Sequence, residues 1–371
     1  MEAAFMSDFD IAIAGGGPAG AAASIHAARN GARVLMVDAS SFPRQKVCGE
    51  FVSAEARSLL AGLLTDSTAL SGTQISRARL FVRGRPLQFA IDPPALSIPR
   101  YDLDLALWRT AQAAGAKTME KVTVQQVESI STSGAFALDT SAGRFTAKLI
   151  IDATGRWSKL RVQRRSPGRP RWLGIKAHFE LLAASAPLPA PSTDLYFFPG
   201  GYCGVQPVAE TTVNVCSMVR ADTAKDFESL FLRHGDLLER SRGWRQVSST
   251  ITTSPLDFHE PTPVEDGILR AGDAAAFIDP FVGDGISLAL HSGRLAAQSC
   301  LEALKSAGPV AEAAKDYAER YFATAMPAIR QAARLRTLLQ LPLLMQLPLL
   351  QAMRLPGISR WVVSQTRARV A

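Results

Sequence analysis

The chain is poor in the residues that mark several protein classes. Its 371 residues hold four cysteines, Cys48, Cys203, Cys216 and Cys300, and no two stand in C-x-x-C spacing. That argues against a clustered-thiol metal site and a disulfide framework, and it fits a reducing compartment. Aromatic residues make up 7%. There is no RNP-like aromatic run, zinc-finger spacing or basic helix with base-reading residues, so no nucleic-acid partner is expected. No Ser-His-Asp pattern of a hydrolase stands out. The acidic start MEAAFMSDFD lacks the apolar core of a secretory signal, so a cytoplasmic setting is expected.

Other residues are in surplus. Lysine and arginine outnumber acids 41 to 33, so 41 − 33 gives a net charge of +8 and a pI near 9.6. Such a surface favours anionic partners, among them phosphorylated cofactors and acidic lipids. With 47% hydrophobic residues the chain can bury a sizeable core, and its length suggests two or three structural units.

The stretch DFDIAIAGGGPAGAAASIHAARNGARVLMVDAS, residues 8–40, reads as strand, glycine turn, small-residue helix and second strand. Gly15, Gly17 and Gly20 form G-x-G-x-x-G. The first permits a tight turn, the second lets backbone N–H groups approach a pyrophosphate, and the third lets helix and strand pack closely. Pro18 and Ala19 open the helix, whose positive end faces the phosphates. Asp38 ends the second strand, where its carboxylate reaches an adenosine ribose hydroxyl. An acid there favours FAD or NAD over NADP.

Two later stretches favour FAD. KLIIDATGRWSKLR is a strand over Leu149–Ala153 followed by Thr154-Gly155. GILRAGDAAAFIDPFVGDGISLALHSGRLAA is a strand over Ile268–Ala271, then Gly272-Asp273, Asp279-Pro280 and Gly283-Asp284-Gly285, then a helix from Ile286. Asp273 would accept hydrogen bonds from ribityl hydroxyls. Gly283 and Gly285 would let backbone approach the isoalloxazine, and the helix dipole would stabilise negative charge on the reduced ring.

Those stretches, with FPRQKVCGE and IPRYDLDLALW, resemble the FAD-dependent oxidoreductases of the p-hydroxybenzoate hydroxylase fold. Within them the chain looks most like the geranylgeranyl reductase-like branch, which also holds hydroxylases of lipophilic aromatics. The motifs extend across residues 8–294. The resemblance implies that Gly15, Gly17, Pro18, Ala19, Gly20 and Asp38 bind the ADP half. Arg44 and the Cys48-Gly49 turn would lie beside the flavin. Arg100 would contact the cofactor, Val124 would give backbone to the adenine, and Gly155, Gly272, Asp273, Pro280, Gly283, Gly285 and Ile286 would complete the site.

The chain departs from the pattern at two places. Monooxygenases of this fold carry Asp-Gly, a motif linked to NAD(P)H use, where this chain has Thr154-Gly155. Isoprenoid reductases carry Y-x-W-x-F-P, of which Tyr196-Phe197-Phe198-Pro199 keeps the Phe-Pro end and one aromatic. The Trp-x-Trp-x-Ile-Pro run of flavin halogenases is missing. No second G-x-G-x-x-G exists, so NAD(P)H is expected only as a transient reductant, or a reductase partner serves instead.

The expected fold is α/β, α+β overall. A discontinuous Rossmann-like FAD domain would take residues 8–80, 100–175 and 266–300. An inserted antiparallel sheet, 81–99 and 176–265, would roof the substrate, and 301–371 would be helical. Thr337–Met353 is uncharged over seventeen residues but broken by Pro342 and Pro348, too short to span a bilayer. It is either a peripheral membrane contact flanked by Arg330, Arg334 and Arg336 or a segment packed on the core. The basic run Arg161–Arg171 is either a solvated loop or a dock for a phosphate or an acyl-carrier partner.

Cys48 is a candidate for placing substrate, and His178 and Tyr202 for deprotonating a phenol. Each also fits a packing role. The leading expectation is a monooxygenase of secondary metabolism that hydroxylates a lipophilic phenol or quinol through a flavin C4a-hydroperoxide. The first alternative is a reductase of isoprenoid or polyketide C=C bonds. The second is a flavin-binding lipid carrier without turnover.

Overall fold

The computed structural model describes residues 7–340 apart from 67, 69–70, 83–85, 131–133, 158–159, 161–171, 183–190, 255, 257, 259 and 307. The basic run and the apolar tail therefore lie outside the described residues. The strands are β1 (Phe9–Ala14), β2 (Val34–Asp38), β3 (Phe51–Val52), β4 (Thr73–Phe81), β5 (Leu87–Ser97), β6 (Lys117–Glu120), β7 (Val124–Ile130), β8 (Ala135–Thr140) and β9 (Gly143–Asp152). They continue as β10 (Trp172–Leu181), β11 (Ser192–Phe198), β12 (Gly201–Pro207), β13 (Thr212–Arg220), β14 (Trp244–Gln246), β15 (Ile251–Thr253), β16 (Val264–Glu265) and β17 (Ile268–Arg270). The helices are α1 (Pro18–Arg29), α2 (Ala54–Leu63), α3 (Arg100–Ala113), α4 (Phe227–Phe231), α5 (Gly235–Ser241), α6 (Gly285–Ser306), α7 (Val310–Thr324) and α8 (Met326–Gln340).

One sheet runs β16-β17-β9-β1-β2-β6, with β7 and β8 hanging from β9. Its centre is parallel: β1 pairs with β2 on one side and β9 on the other, and β9 with β17. Ile11, Ile13, Leu35, Met36, Ile150 and Ile151 are wholly buried, as a sheet covered on both faces requires. Helices α1 and α6 lie together on one face. A Cβ on Gly293 of α6 would strike the Ala19 carbonyl oxygen of α1, a close approach that suits the small residues of α1.

The second sheet runs β14-β10-β13-β12-β11-β4-β5-β3, with β15 on β10. It is antiparallel except where β4 runs parallel to β11. Its outer face carries Ile175, Ala177, Phe179, Val213 and Val215 against Phe227, Leu230 and Leu237 of α4 and α5. The inner face is set by register. His178, Asn214 and Gln206 form one row, Lys176, Cys216 and Gly204 the next, and Gly174, Met218 and Tyr202 a third.

Strand pairing moves the expected domain limits. Residues 73–80 belong to the second sheet, and so do 172–175 and Phe51–Val52, whereas Val264–Glu265 joins the first. The chain crosses between sheets more often than motif order alone revealed. The mixed α/β fold class itself stands as expected.

Candidate active site

Four motif turns gather at the carboxyl ends of the parallel strands. Ala14, Asp152 and Arg270 end β1, β9 and β17 in matching register, and Ala14 pairs with Val37, one residue before the end of β2. In open α/β sheets this edge, where connections leave in both directions, is where ligands bind. Gly15 has φ +101°, and a side chain on Gly20 would run into the Gly15 carbonyl oxygen. Both glycines are therefore obligatory for the turn. Gly17 opens α1, with only Arg44 Nη2 within 4 Å of where a Cβ would sit, at 3.5 Å. A Cβ on Gly49 or Gly155 would meet nothing within 4 Å, and one on Gly285 only Ile278, at 3.9 Å. These glycines line open space, as backbone meant for a ligand does.

Asp38 accepts hydrogen bonds from the Gly16 N–H (2.7 Å), the Ser40 N–H (2.8 Å) and Arg44 Nη1 (2.7 Å). It thereby shapes the glycine turn. Helix α3 supplies a second carboxylate. Arg100, Asp104 and Trp108 recur every four residues and so share one face. Asp104, wholly buried, holds Arg100 (2.6 Å) and Arg44 (3.4 Å). Trp108 stacks on Phe42 at 4.3 Å and fills the space beside Gly16, and Arg44 lies over Phe42 at 4.5 Å. Lys46 is pushed below the ordinary lysine range, by burial first and by Arg44 second. Burial opposes the charge on Arg100, yet Asp104 raises its pKa overall. Three cations, Arg44, Lys46 and Arg100, thus face two carboxylates, and the surplus positive charge suits a pyrophosphate. Val124 is buried at the start of β7. The neighbouring Val122 N–H donates to the Asp38 carbonyl at 2.9 Å.

The second half of the site comes from β17 onward. Gly272 packs against Ala19, so closely that a Cβ on Gly272 would stand 3.0 Å from the Ala19 Cβ. The Gly272 N–H donates to Ser292 Oγ at 2.9 Å. Asp273 is half-buried in the following 3-10 turn. Asp279 caps the turn Pro280–Val282 through the Phe281 N–H. Gly283 faces the Phe51 ring, and α6 begins at Gly285, one residue before the expected Ile286. Two helix N-termini, at Pro18 and Gly285, therefore follow motif turns of this cleft.

Between cleft and roof lies a buried charged cluster. Glu50 has φ +61°, a conformation costly for a side chain with a Cβ, and is wholly buried. Its carboxylate accepts hydrogen bonds from Lys176 Nζ (2.6 Å), His178 Nε2 (2.7 Å) and the Arg100 N–H (2.9 Å). Lys176 Nζ also donates to Gln45 Oε1 at 2.7 Å. Burial opposes ionisation of Glu50, but His178 and Lys176 outweigh it and its pKa falls below the usual carboxylate value. Cys48 is half-buried. Its Sγ accepts from the Glu50 N–H at 3.3 Å and its carbonyl from Asn214 Nδ2 at 3.0 Å.

The three candidates for chemistry do not converge. His178 and Cys48 meet at Glu50. Tyr202 lies two rows away, about 13 Å along the strands, with its hydroxyl donating to Asp279 at 3.4 Å. Burial, then Asp279, raises its pKa well above the tyrosine norm. Around it Met218, Leu256 and Phe277, with Phe197 and Phe281, form an apolar cluster. Thr154 turns onto its own strand end, donating from N–H (3.0 Å) and hydroxyl (2.6 Å) to Asp152.

Glu50, Lys176 and Asp104 were missed in the sequence. A signal existed for each: Glu50 ends FPRQKVCGE, Lys176 and His178 alternate with apolar neighbours in IKAHF, and Asp104 follows Arg100 by one helical turn.

Similarity to known proteins supports an FAD-dependent oxidoreductase. Residues 10–80 match the family described as FAD dependent oxidoreductase. Over 93% of its length the chain is 29% identical to a menaquinone reductase of Mycolicibacterium smegmatis, covering 88% of that protein. It is 26% identical to digeranylgeranylglycerophospholipid reductase 2 of Methanopyrus kandleri, with 85% and 82% covered. Among solved structures it superposes on a geranylgeranyl bacteriochlorophyll reductase-like protein of Thermoplasma acidophilum with a TM-score of 0.79, 21% identity, and 96% and 95% of the chains covered. A flavin-dependent brominase gives 0.78 at 18% identity, with 96% and 94% covered. The resemblance read from the motifs is borne out.

Proposed function

We propose that the chain is a reductase that saturates carbon–carbon double bonds in a lipophilic isoprenoid, such as a prenylated quinone or a prenyl-chain lipid. The observation that carries this reading is the split inner face of the roof. One end is apolar around Tyr202 and Met218, and the other holds Cys48 against the buried Glu50, Lys176 and His178. A greasy chain fits the first end and excludes water. The charged end offers protons where a reduced carbon needs one. Gly15, Gly17, Asp38, Arg44, Lys46 and Arg100 would hold the ADP half of FAD, with Gly155, Asp273, Gly283 and Gly285 along the rest. Bound FAD supplies hydride chemistry; the chain supplies position and electrostatics.

The similar proteins named as a menaquinone reductase and as digeranylgeranylglycerophospholipid reductases support this over the hydroxylation expected first. Thr154, standing where Asp-Gly accompanies NAD(P)H use in monooxygenases, points the same way. Among the described residues no helix is long and apolar enough to cross a membrane, so a lipid substrate would enter by surface contact.

The test is anaerobic. Holoprotein reduced with dithionite, freed of excess reductant and mixed with a prenyl-chain lipid that carries no quinone should yield product heavier by two hydrogens for each bond saturated, with flavin reoxidised. Product heavier by one oxygen in air, with none of the saturated species under nitrogen, would assign hydroxylation instead.

A further inference from the structure

The cluster at Glu50 is graded from surface to interior. Asp102, in the first turn of α3, is exposed and follows by two residues Arg100, whose N–H donates to Glu50, which places it near Glu50 and His178. The His178 side chain is 11% exposed, Lys176 1% and Glu50 0%. His178 Nε2 donates to one Glu50 oxygen and Lys176 Nζ to the other, so the carboxylate bridges them. Lys176 lies inward, in the row beside Cys216 and bonded to Gln45 of the stretch that carries Arg44 and Cys48. Other charged and titratable groups facing the cluster are Arg100 from α3, Cys48 and Cys216. A buried ion pair contributes little to stability compared with apolar packing. Here the carboxylate also belongs to a non-glycine residue in a left-handed conformation, so a role other than stability is called for.

We propose that His178, Glu50 and Lys176, supplied through Asp102, are a proton relay from solvent to the cofactor side of the roof. This rests on the reductase reading above. Saturating one double bond takes a hydride and a proton. The hydride, from reduced flavin recharged by an external two-electron donor, forms a C–H bond at one carbon. The π electron pair takes a proton from the Lys176 ammonium at the neighbouring carbon. Lys176 regains its proton through Glu50 from His178, and His178 from solvent past Asp102. The relay ends each turnover with its starting charge.

Three variants and one spectrum test this. Lys176→Met removes the proton donor. Lys176→Arg keeps the ion pair but gives up no proton. His178→Asn breaks the link to solvent. With flavin bound as in the wild type, each should slow alkene-dependent flavin reoxidation about 100-fold. Added imidazole should restore His178→Asn but neither Lys176 variant. In ¹⁵N-histidine-labelled protein without flavin, the His178 ring signal should move on Glu50→Gln and on Asp102→Asn. Wild-type reoxidation by Lys176→Arg, or a His178 signal indifferent to Glu50→Gln, overturns the relay and leaves the reductase standing. A wild-type protein that saturates no prenylated substrate overturns both.

Discussion

At the scale of single residues, His291 shows how burial without a partner writes a pH dependence into the fold. It sits in α6 with 1% of its surface exposed, and among the described residues neither ring nitrogen has a hydrogen-bond partner. Burial, then Arg294, lowers its pKa from 6.5 to about 4. The folded state thus refuses a proton that the unfolded chain accepts below 6.5. The stability it confers is whole above that value and is lost as the pH falls toward 4, by about 3 kcal/mol in all. His291→Leu should flatten the dependence of Tm on pH between 6.5 and 4 while leaving neutral stability within about 1.5 kcal/mol. Glu50 works in the same sense lower down: its lowered pKa stabilises the fold above the ordinary 4.5, and that stability fades as the pH falls through the folded value.

At the scale of elements, the contact of α1 with α6 joins the two halves of the cofactor cleft. Gly293 and Gly272 let α6 approach Ala19. Gly293→Val should part the helices, cost about 1–3 kcal/mol and deplete bound flavin, read as the ratio of flavin to protein absorbance. This pairing was legible in advance only in part. The strand, turn, small-residue helix and second strand of residues 8–40 are a local pattern, and the structure has these elements in that order, with Asp38 ending β2. The roof's alternation was legible too. Its rows were not, because which residue faces which depends on register between strands distant in sequence. The parallel pairing of β4 with β11, from Ser192↔Arg77 to Tyr196↔Phe81, has no local signature, and it is why the domain limit at 80 fell inside a strand. Glu50 escaped because its partners lie 126 and 128 residues away.

At the scale of the molecule, the net charge of +8 and the apolar run after Gln340 make a testable pair. If the run touches lipid, the full chain should sediment with anionic vesicles and release in high salt, and a chain ending at Gln340 should bind at least about fivefold more weakly. Equal binding by both would place the run on the protein's own surface.

The short strand β3 bears on how such enzymes can be rebuilt. Residues 44–50 leave the glycine-turn side of the cleft, and the next two residues pair Phe51 with Ser97 and Val52 with Leu96 at the edge of the second sheet. The stretch proposed to grip the cofactor is thus sewn into the hem of the roof. A roof transplanted from another enzyme to change the substrate would have to bring its own counterpart of residues 44–52. Grafts cut at the obvious loops should give chimaeras whose two sheets fold but whose seam does not close.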